Sequence, residues 1–201
     1  QLVLDALDNQ SPHNQQQNNW DLSCLKALLT AGEAVSSQVV DTFVQRLGGF
    51  GFSRHAMQPA FGMAEMGSGV TYVQADKENP LHIHHLSRSS LDSADGVIPV
   101  AATEDDAVSI TSLGPPIPGI SLRIADNENR PLAMGIVGRL QIKGPAVAKG
   151  YYRNQEATEE AFLNDGWFDT GDLGVFINGE LLITGGGVVL ALLIATVFWH
   201  I

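Results

Sequence analysis

The sequence predicts an α/β fold in which a mixed helix and strand portion is followed by a β-rich portion. Two patterns of apolar residues support this prediction. Between Ser36 and Leu47 they recur at spacings of three and four, which is typical of one helix face. After about Leu81, short runs alternate apolar and polar residues between turn formers, as half-buried strands do. With 201 residues, 44% of them hydrophobic, the chain can form one sizeable core or two small ones.

The first portion is predicted to alternate loop, strand and helix. The polar run 11–19 predicts an exposed loop, and LKALLTAG at 25–32 predicts a short buried strand. Cys24, just before that strand, is predicted to be a small buried residue. The helix that follows is expected to end at the glycines that begin with Gly48.

The second portion is predicted to consist mainly of short strands. ISLRIAD at 120–126 and GRLQIKG at 138–144 alternate at period two. NQEATEEAFLNDGW at 154–167 can form a short helix, and VFINGELLITG predicts a hairpin that turns at Asn178 and Gly179.

The end of the chain is unusually apolar, because no charged side chain occurs from Leu181 to Ile201. As one helix this stretch would be roughly 30 Å long, about the thickness of a bilayer core. Glycines 185–187 interrupt it, however, and the run 188–201 is short for a span. The pattern favours a buried segment and leaves membrane tethering as an open alternative.

The charge balance argues against nucleic acid as a partner. Twenty-two acidic residues against eleven basic ones give a net charge of -11, and a nonspecific grip on phosphates needs clustered Lys and Arg. The single cysteine cannot form an internal disulfide. The first residues lack the basic start and apolar run of a secretory signal, so we expect a cytoplasmic protein.

Three short runs occur in a distinctive order: GEA at 32–34, FGMAE at 61–65 and WFDTGDLG at 167–174. Together they resemble the acyl-adenylate-forming superfamily of acyl-CoA synthetases, fatty acyl-AMP ligases and nonribosomal peptide adenylation domains. The resemblance extends over about 25–185. The forms PPIPGISLRIAD and FGMAEMGSGVTY look most like ligases that load acids onto carrier proteins in polyketide and nonribosomal peptide synthases.

The resemblance implies the C-terminal part of the large N-terminal domain of such an enzyme. Residues 1–80 would form a partial αβ subdomain with the adenine-binding motifs. Residues 81–185 would form a β-rich, distorted-barrel subdomain with the ribose-binding TGD motif, and 186–201 would be an apolar tail unlike the family.

The resemblance also implies a reaction and its ligands. A carboxylic acid, here a fatty or polyketide-starter acid, attacks the α-phosphate of ATP while Mg²⁺ offsets the developing charge. A thiol then attacks the acyl-AMP. The implied partners are therefore ATP or AMP, Mg²⁺, the acid, and either CoA or phosphopantetheine on an acyl carrier protein.

Site residues follow by matching the family motifs. Asp172 has an acceptor-only carboxylate that suits two ribose hydroxyls, although a bare TGD would be read as an ordinary acidic turn. Glu65 is implied as the catalytic and metal-binding carboxylate for Mg²⁺, with a solvated acid as the alternative. Ala64 stands where the family usually has Thr, which removes a hydroxyl from the phosphates. The implied nucleotide-binding residues are Gly32, Glu33, Ala34, Phe61, Gly62, Met63, Ala64 and Asp172. For the run 32–34, a plain turn at the end of a strand is the alternative.

Two further features could be interpreted as functional sites, but we favour a structural interpretation of each. His82, His84 and His85 could place two imidazoles on one strand face, but without a third ligand at metal spacing a polar loop is the better interpretation. Lys149 is expected to be a solvated surface residue, and Tyr151 and Tyr152 are expected to fill a core.

Three features that the resemblance implies are missing from the sequence. The triphosphate loop would precede residue 1, and Gly186 occupies the place of an Arg that reaches the ribose. The third is the adenylation lysine, which in the family lies in a separate C-terminal domain. The resemblance therefore implies a fragment of an acyl-AMP ligase that is inactive alone. The alternative is a noncatalytic remnant or a membrane-tethered module.

Overall fold

The computed structural model describes residues 20–32, 35–75 and 81–186. Within these ranges it contains strands of three to ten residues and two α-helices. The elements in chain order are β1 (Leu28–Thr30), α1 (Ser37–Gly48), β2 (Met57–Met63), β3 (Ser68–Tyr72), β4 (Ile83–Ser87), β5 (Ala107–Thr111), β6 (Ser121–Ala125), β7 (Gly138–Lys143), α2 (Gln155–Ala161), β8 (Phe168–Ile177) and β9 (Glu180–Gly186).

The strands form three sheets in the part of the chain that the structure describes. The first has the order β1-β2-β3, with β1 parallel and β3 antiparallel to β2. The second pairs β4 with β5, and the third is an antiparallel meander in the order β6-β7-β8-β9. This mixed content confirms the predicted α/β class.

Helix α1 forms where the apolar spacing predicts it and ends at the expected glycines, with Gly49 as its C-cap. Val40 and Leu47 are buried in a cluster that also contains Phe52 and Met57. Side chains three and four residues apart share one helix face. The apolar face of α1 therefore packs against the segment that leads into β2.

The two alternating runs of the second portion form β6 and β7 as predicted. Their register pairs Leu122 with Ile142 and Ile124 with Leu140, so the apolar residues of both strands meet on one face. The hairpin between β8 and β9 also turns where predicted. Asn178 and Gly179 both have positive φ, 52° and 84°, as a two-residue turn of matching twist requires.

Some local predictions were wrong for identifiable reasons. Cys24 is exposed rather than buried, because a turn fixed by the Ser23 N–H to Asp21 Oδ1 bond carries it outward. The strand at 25–32 shrinks to β1, which is only half-buried. By contrast, the short helix predicted within 154–167 is confirmed as α2, which ends at Ala161 because the next residue, Phe162, forms a bridge with Phe168.

Two predicted segments lie outside the described residues: the loop at 11–19, and all but Gly186 of the apolar tail at 186–201. Among the residues that are described, neither helix is long and apolar enough to cross a membrane.

Gly114, in the connection between β5 and β6, is expected to tolerate no side chain. Its φ is 76°, and a Cβ there would lie 2.5 Å from the Tyr72 carbonyl oxygen and 2.9 Å from the Val73 nitrogen. Gly114→Ala should therefore lower the free energy of unfolding by about 3 kcal/mol, from backbone strain and overpacking together. Urea titration of the full chain measures the loss.

Gly119→Ala is the matched control. Gly119 has a similar φ of 86°, but a Cβ added there would meet nothing within 4 Å, so only the backbone term of about 1 kcal/mol applies. Equal losses in the two variants would show that the contact with Tyr72 and Val73 does not matter.

Candidate functional site

One cavity of about 630 Å³ lies between the first sheet, the second sheet and strand β9. It collects four of the residues implied by the sequence motifs, although these come from distant parts of the chain. Arg88 and Thr184 also line it, and the sequence motifs pointed to neither. The implied residues on its wall are Gly32, Phe61, Gly62 and Asp172.

Asp172 lies on β8 and is only 4% exposed. Its backbone N–H donates to Thr170 Oγ1 at 3.0 Å, and the Thr170 hydroxyl donates to the Leu140 carbonyl at 2.9 Å. No described group donates a hydrogen bond to the Asp172 carboxylate. Burial without such a partner raises the pKa of Asp172 to about 6.

A buried polar network shapes the turn that precedes Asp172. Asp169 Oδ1 accepts a hydrogen bond from the Gly171 N–H at 3.0 Å, and its Oδ2 lies 2.6 Å from Arg139 Nη2 and 3.2 Å from Gln141 Nε2. Sequence reasoning missed these three side chains. The alternation of β7 places Arg139 and Gln141 on one face, and this was the signal available in the sequence. Asp169 comes to lie opposite Gln141 only when β7 pairs with β8.

Phe61 and Gly62 reach the cavity at an irregularity of strand β2. The register with β3 shifts between them, and Gly62 faces Gly69 on the neighbouring strand. Met63 instead packs against the cluster around Met66, and Ala64 is exposed in the turn that follows β2. Neither Met63 nor Ala64 lines the cavity.

Glu65 lies in the same 3₁₀ turn and outside the cavity lining. Its Oε1 accepts a hydrogen bond of 2.8 Å from the Tyr151 hydroxyl, and its backbone carbonyl accepts one of 2.7 Å from the Ala148 N–H. No described side chain engages Oε2. Tyr151 and Tyr152 are both exposed, which corrects the prediction that they fill a core.

The donor chemistry around Glu65 fits Mg²⁺. Within the described residues, no three histidine, cysteine, aspartate or glutamate side chains are arranged to hold a metal by themselves. Mg²⁺ usually takes one or two carboxylates and fills its other positions with phosphate oxygens and water. A single carboxylate with one oxygen unengaged is compatible with that pattern.

The GEA run is only partly described. Gly32 lines the cavity with a φ of 88°, a conformation that favours glycine. Glu33 and Ala34 lie outside the described residues.

His84 and His85 belong to strand β4 and pair with β5. The prediction that the histidine segment is a polar loop was therefore wrong for these two residues. The Glu180 carboxylate lies 3.1 Å from His82 Nδ1 and 3.6 Å from His84 Nε2. These contacts bridge β4 to β9. Lys149 is exposed, as predicted.

Gly186 pairs with Asp172 across strands β8 and β9. The position that the resemblance assigns to a ribose-contacting Arg therefore adjoins the buried carboxylate. Here that position offers no side chain to a ligand.

Comparison with known proteins gives consistent matches. The family described as AMP-binding enzyme matches residues 2–152. The nonribosomal peptide synthetase ucdA of Aspergillus ustus is 34% identical over 173 residues, which cover 85% of this chain and 16% of that protein. The chain thus spans about a sixth of the length of this curated relative.

Solved structures agree with this match. The adenylation domain of a keto acid-selecting nonribosomal peptide synthetase module, bound to keto acyl adenylate, superposes with a TM-score of 0.81 at 36% identity. The match covers 92% of this chain and 34% of that one. The fatty acid AMP ligase from Legionella pneumophila superposes with a TM-score of 0.79 at 25% identity, covering 90% of this chain and 32% of the ligase. On these matches, the chain belongs to the AMP-binding enzyme family of adenylate-forming proteins.

Proposed function

We propose that this cavity binds the adenosine part of ATP and of an acyl-adenylate. In this proposal the chain is part of a ligase that activates a carboxylic acid, of the fatty or polyketide-starter class, for transfer to a carrier-protein or CoA thiol. The observation that carries the proposal is the meeting of Asp172, Phe61 and Gly32 on one cavity wall. Residues 1–80 and 81–185 would act as two subdomains that both contribute to this wall.

Asp172 is suited to bind the ribose because its buried carboxylate has no donor among the described residues. A buried charge of this kind is costly unless it is hydrogen-bonded. Two vicinal hydroxyls would donate one bond to each carboxylate oxygen, and bonds to a charged acceptor are stronger than neutral ones.

Thr184 offers a second polar contact on the same wall. Its hydroxyl is buried and has no hydrogen-bond partner among the described residues. Buried hydroxyls are normally paired, so a ligand group in the cavity would satisfy it.

Phe61, Gly32 and Gly62 are suited to the base. Phe61 lines the cavity, and an aromatic ring can lie against a flat adenine. Glycines let the backbone approach a ligand closely, because no Cβ stands in the way.

Glu65 would hold Mg²⁺, with Phe61 and Glu65 joined by one short stretch of β2 and its following turn. When bound, the ion would neutralise charge on the ATP phosphates. The contribution of the chain is to present one carboxylate oxygen and to keep the other engaged with Tyr151.

We expect nucleotide binding without turnover by this chain. The chain spans about a third of the solved adenylation domain, and Gly186 adds no side chain beside Asp172. Purified chain given ATP and an acid should therefore release no pyrophosphate. Acid-dependent release would contradict this part of the proposal.

The nucleotide itself supplies the sharpest test. Calorimetric titration should show that AMP binds, and that an analogue lacking both ribose hydroxyls binds at least about tenfold more weakly, because two hydrogen bonds to Asp172 are lost. Equal affinities would remove Asp172 from the ribose site. Absence of binding by either nucleotide would favour the noncatalytic remnant.

A further inference from the structure

We infer that Tyr151 is a positioning residue for Glu65, and that it prepares this carboxylate to receive Mg²⁺ together with ATP. The inference rests on the proposed function, because it assigns a cause for the metal affinity of that site. The sequence motifs gave Tyr151 no role. The hydrogen bond between its hydroxyl and Glu65 is what points to one.

Glu65 is held at two points by one short segment of chain. The Ala148 N–H donates to its backbone carbonyl at 2.7 Å, and the Tyr151 hydroxyl donates to Oε1 at 2.8 Å. The first bond fixes the turn that carries Glu65, and the second selects one orientation of its flexible side chain. Oε2 is left without a described partner.

Tyr151 is itself held in place. Its backbone N–H donates to Thr158 Oγ1 at 2.9 Å, and the Thr158 hydroxyl donates to the Asn154 carbonyl at 2.7 Å. The Tyr151 ring meets Phe162 edge-on at 5.5 Å, and Phe162 in turn lies 4.7 Å from Phe168. Glu65 is thus connected through Tyr151 to the buried start of β8.

The chemistry of a phenol suits this role. The tyrosine hydroxyl is uncharged and can donate a hydrogen bond, and it donates one to Glu65 Oε1. A neutral donor orients the carboxylate without cancelling its charge. A lysine or arginine in the same place would compete with the cation.

Tyr151→Phe in the full chain tests the inference, because it removes only the hydroxyl. ATP binding is measured by calorimetry over a series of Mg²⁺ concentrations, and AMP binding is measured in EDTA. We expect the Mg²⁺ concentration for half-maximal enhancement of ATP binding to rise about tenfold, the size of effect seen for groups that orient metal ligands. AMP binding should stay within about twofold, because AMP needs no metal in this site.

Three variants serve as controls. Tyr152→Phe should change nothing, because Tyr152 is 87% exposed and has no contact with Glu65. Thr158→Val should weaken the Mg²⁺ response by removing the acceptor for Tyr151, and Thr158→Ser should retain it.

The outcomes separate the two proposals. An unchanged Mg²⁺ requirement in Tyr151→Phe, or an equal loss of AMP binding, would overturn the positioning role and leave the nucleotide site intact. Wild-type ATP binding that is indifferent to Mg²⁺ would also overturn it. Failure of the wild-type chain to bind AMP at all would overturn the proposed function, and this inference with it.

Discussion

Asp172→Asn is expected to lower AMP affinity by about 100-fold and, at the same time, to stabilise the unliganded chain at neutral pH. The affinity falls because the carboxylate is charged and can accept from both ribose hydroxyls, whereas the amide is uncharged and has one acceptor oxygen. We expect the loss of binding free energy to be about 3 kcal/mol. The stability rises because the wild-type carboxylate is buried without a described partner.

The pH dependence has a definite sign. Burial raises the pKa of Asp172 to about 6 in the folded chain from 3.8 for an unperturbed group. Between these values the folded state binds more protons at Asp172 than the unfolded state does, so the contribution of Asp172 to stability is greatest at low pH and falls as pH rises from about 4 to about 6. The difference between the two pKa values corresponds to about 3 kcal/mol, which is lost in full above about pH 6.

Urea unfolding at about pH 4 and about pH 7.5 measures this difference. The stability gain of Asp172→Asn should be up to about 3 kcal/mol at the higher pH and close to zero at the lower one. Asp105→Asn, at an exposed position, should follow the wild-type profile. A gain that is the same at both pH values would rule out ionisation of Asp172 as its cause.

Phe168→Ala is expected to lower the free energy of unfolding by about 3–5 kcal/mol. The side chain is 1% exposed and packs in a cluster with Met66, Val70 and Ile142. Its removal deletes a large apolar contact and leaves a cavity that rigid strand neighbours fill only in part. Denaturant unfolding of the full chain is the measurement.

Leu173→Ala provides the comparison on the same strand. Leu173 is 42% exposed, so its truncation should cost about 1 kcal/mol or less. If both variants lose similar stability, the cluster around Phe168 is not the core of this region.

Because Phe168 begins the strand that carries Asp172, Phe168→Ala should also weaken AMP binding.

Predictions from local patterns succeeded where neighbours in sequence are neighbours in space. The spacing in α1 and the alternation in β6 and β7 each reflect one face turned to a core, which the order of residues alone encodes. The Asn178 and Gly179 turn is equally local, because positive φ is a property of those two residues.

The prediction for Cys24 failed because a turn overrides the tendency of its side chain. Cys24 is apolar enough to be buried, but the turn that contains it keeps Leu22 and Leu25 on the core instead. Such a turn leaves no periodic signal.

The candidate site shows the same division. The motifs around Phe61, Glu65 and Asp172 are recognisable in the sequence because each requires particular residue types close together. The arrangement of Asp169 with Arg139 and Gln141, and of Glu65 with Tyr151, joins residues from separate segments. Such pairs become visible only when the strands are in register.

The sequence by itself therefore determined the family, the α/β class and the identity of the carboxylates that could serve a nucleotide. Only the tertiary structure decided that Asp172 shares a cavity with Phe61, and that Glu65 stands outside its lining, held by Tyr151. The reason is physical: residue type specifies what a group can bind, whereas burial and partners, which decide what it does bind, arise from the packing of distant segments.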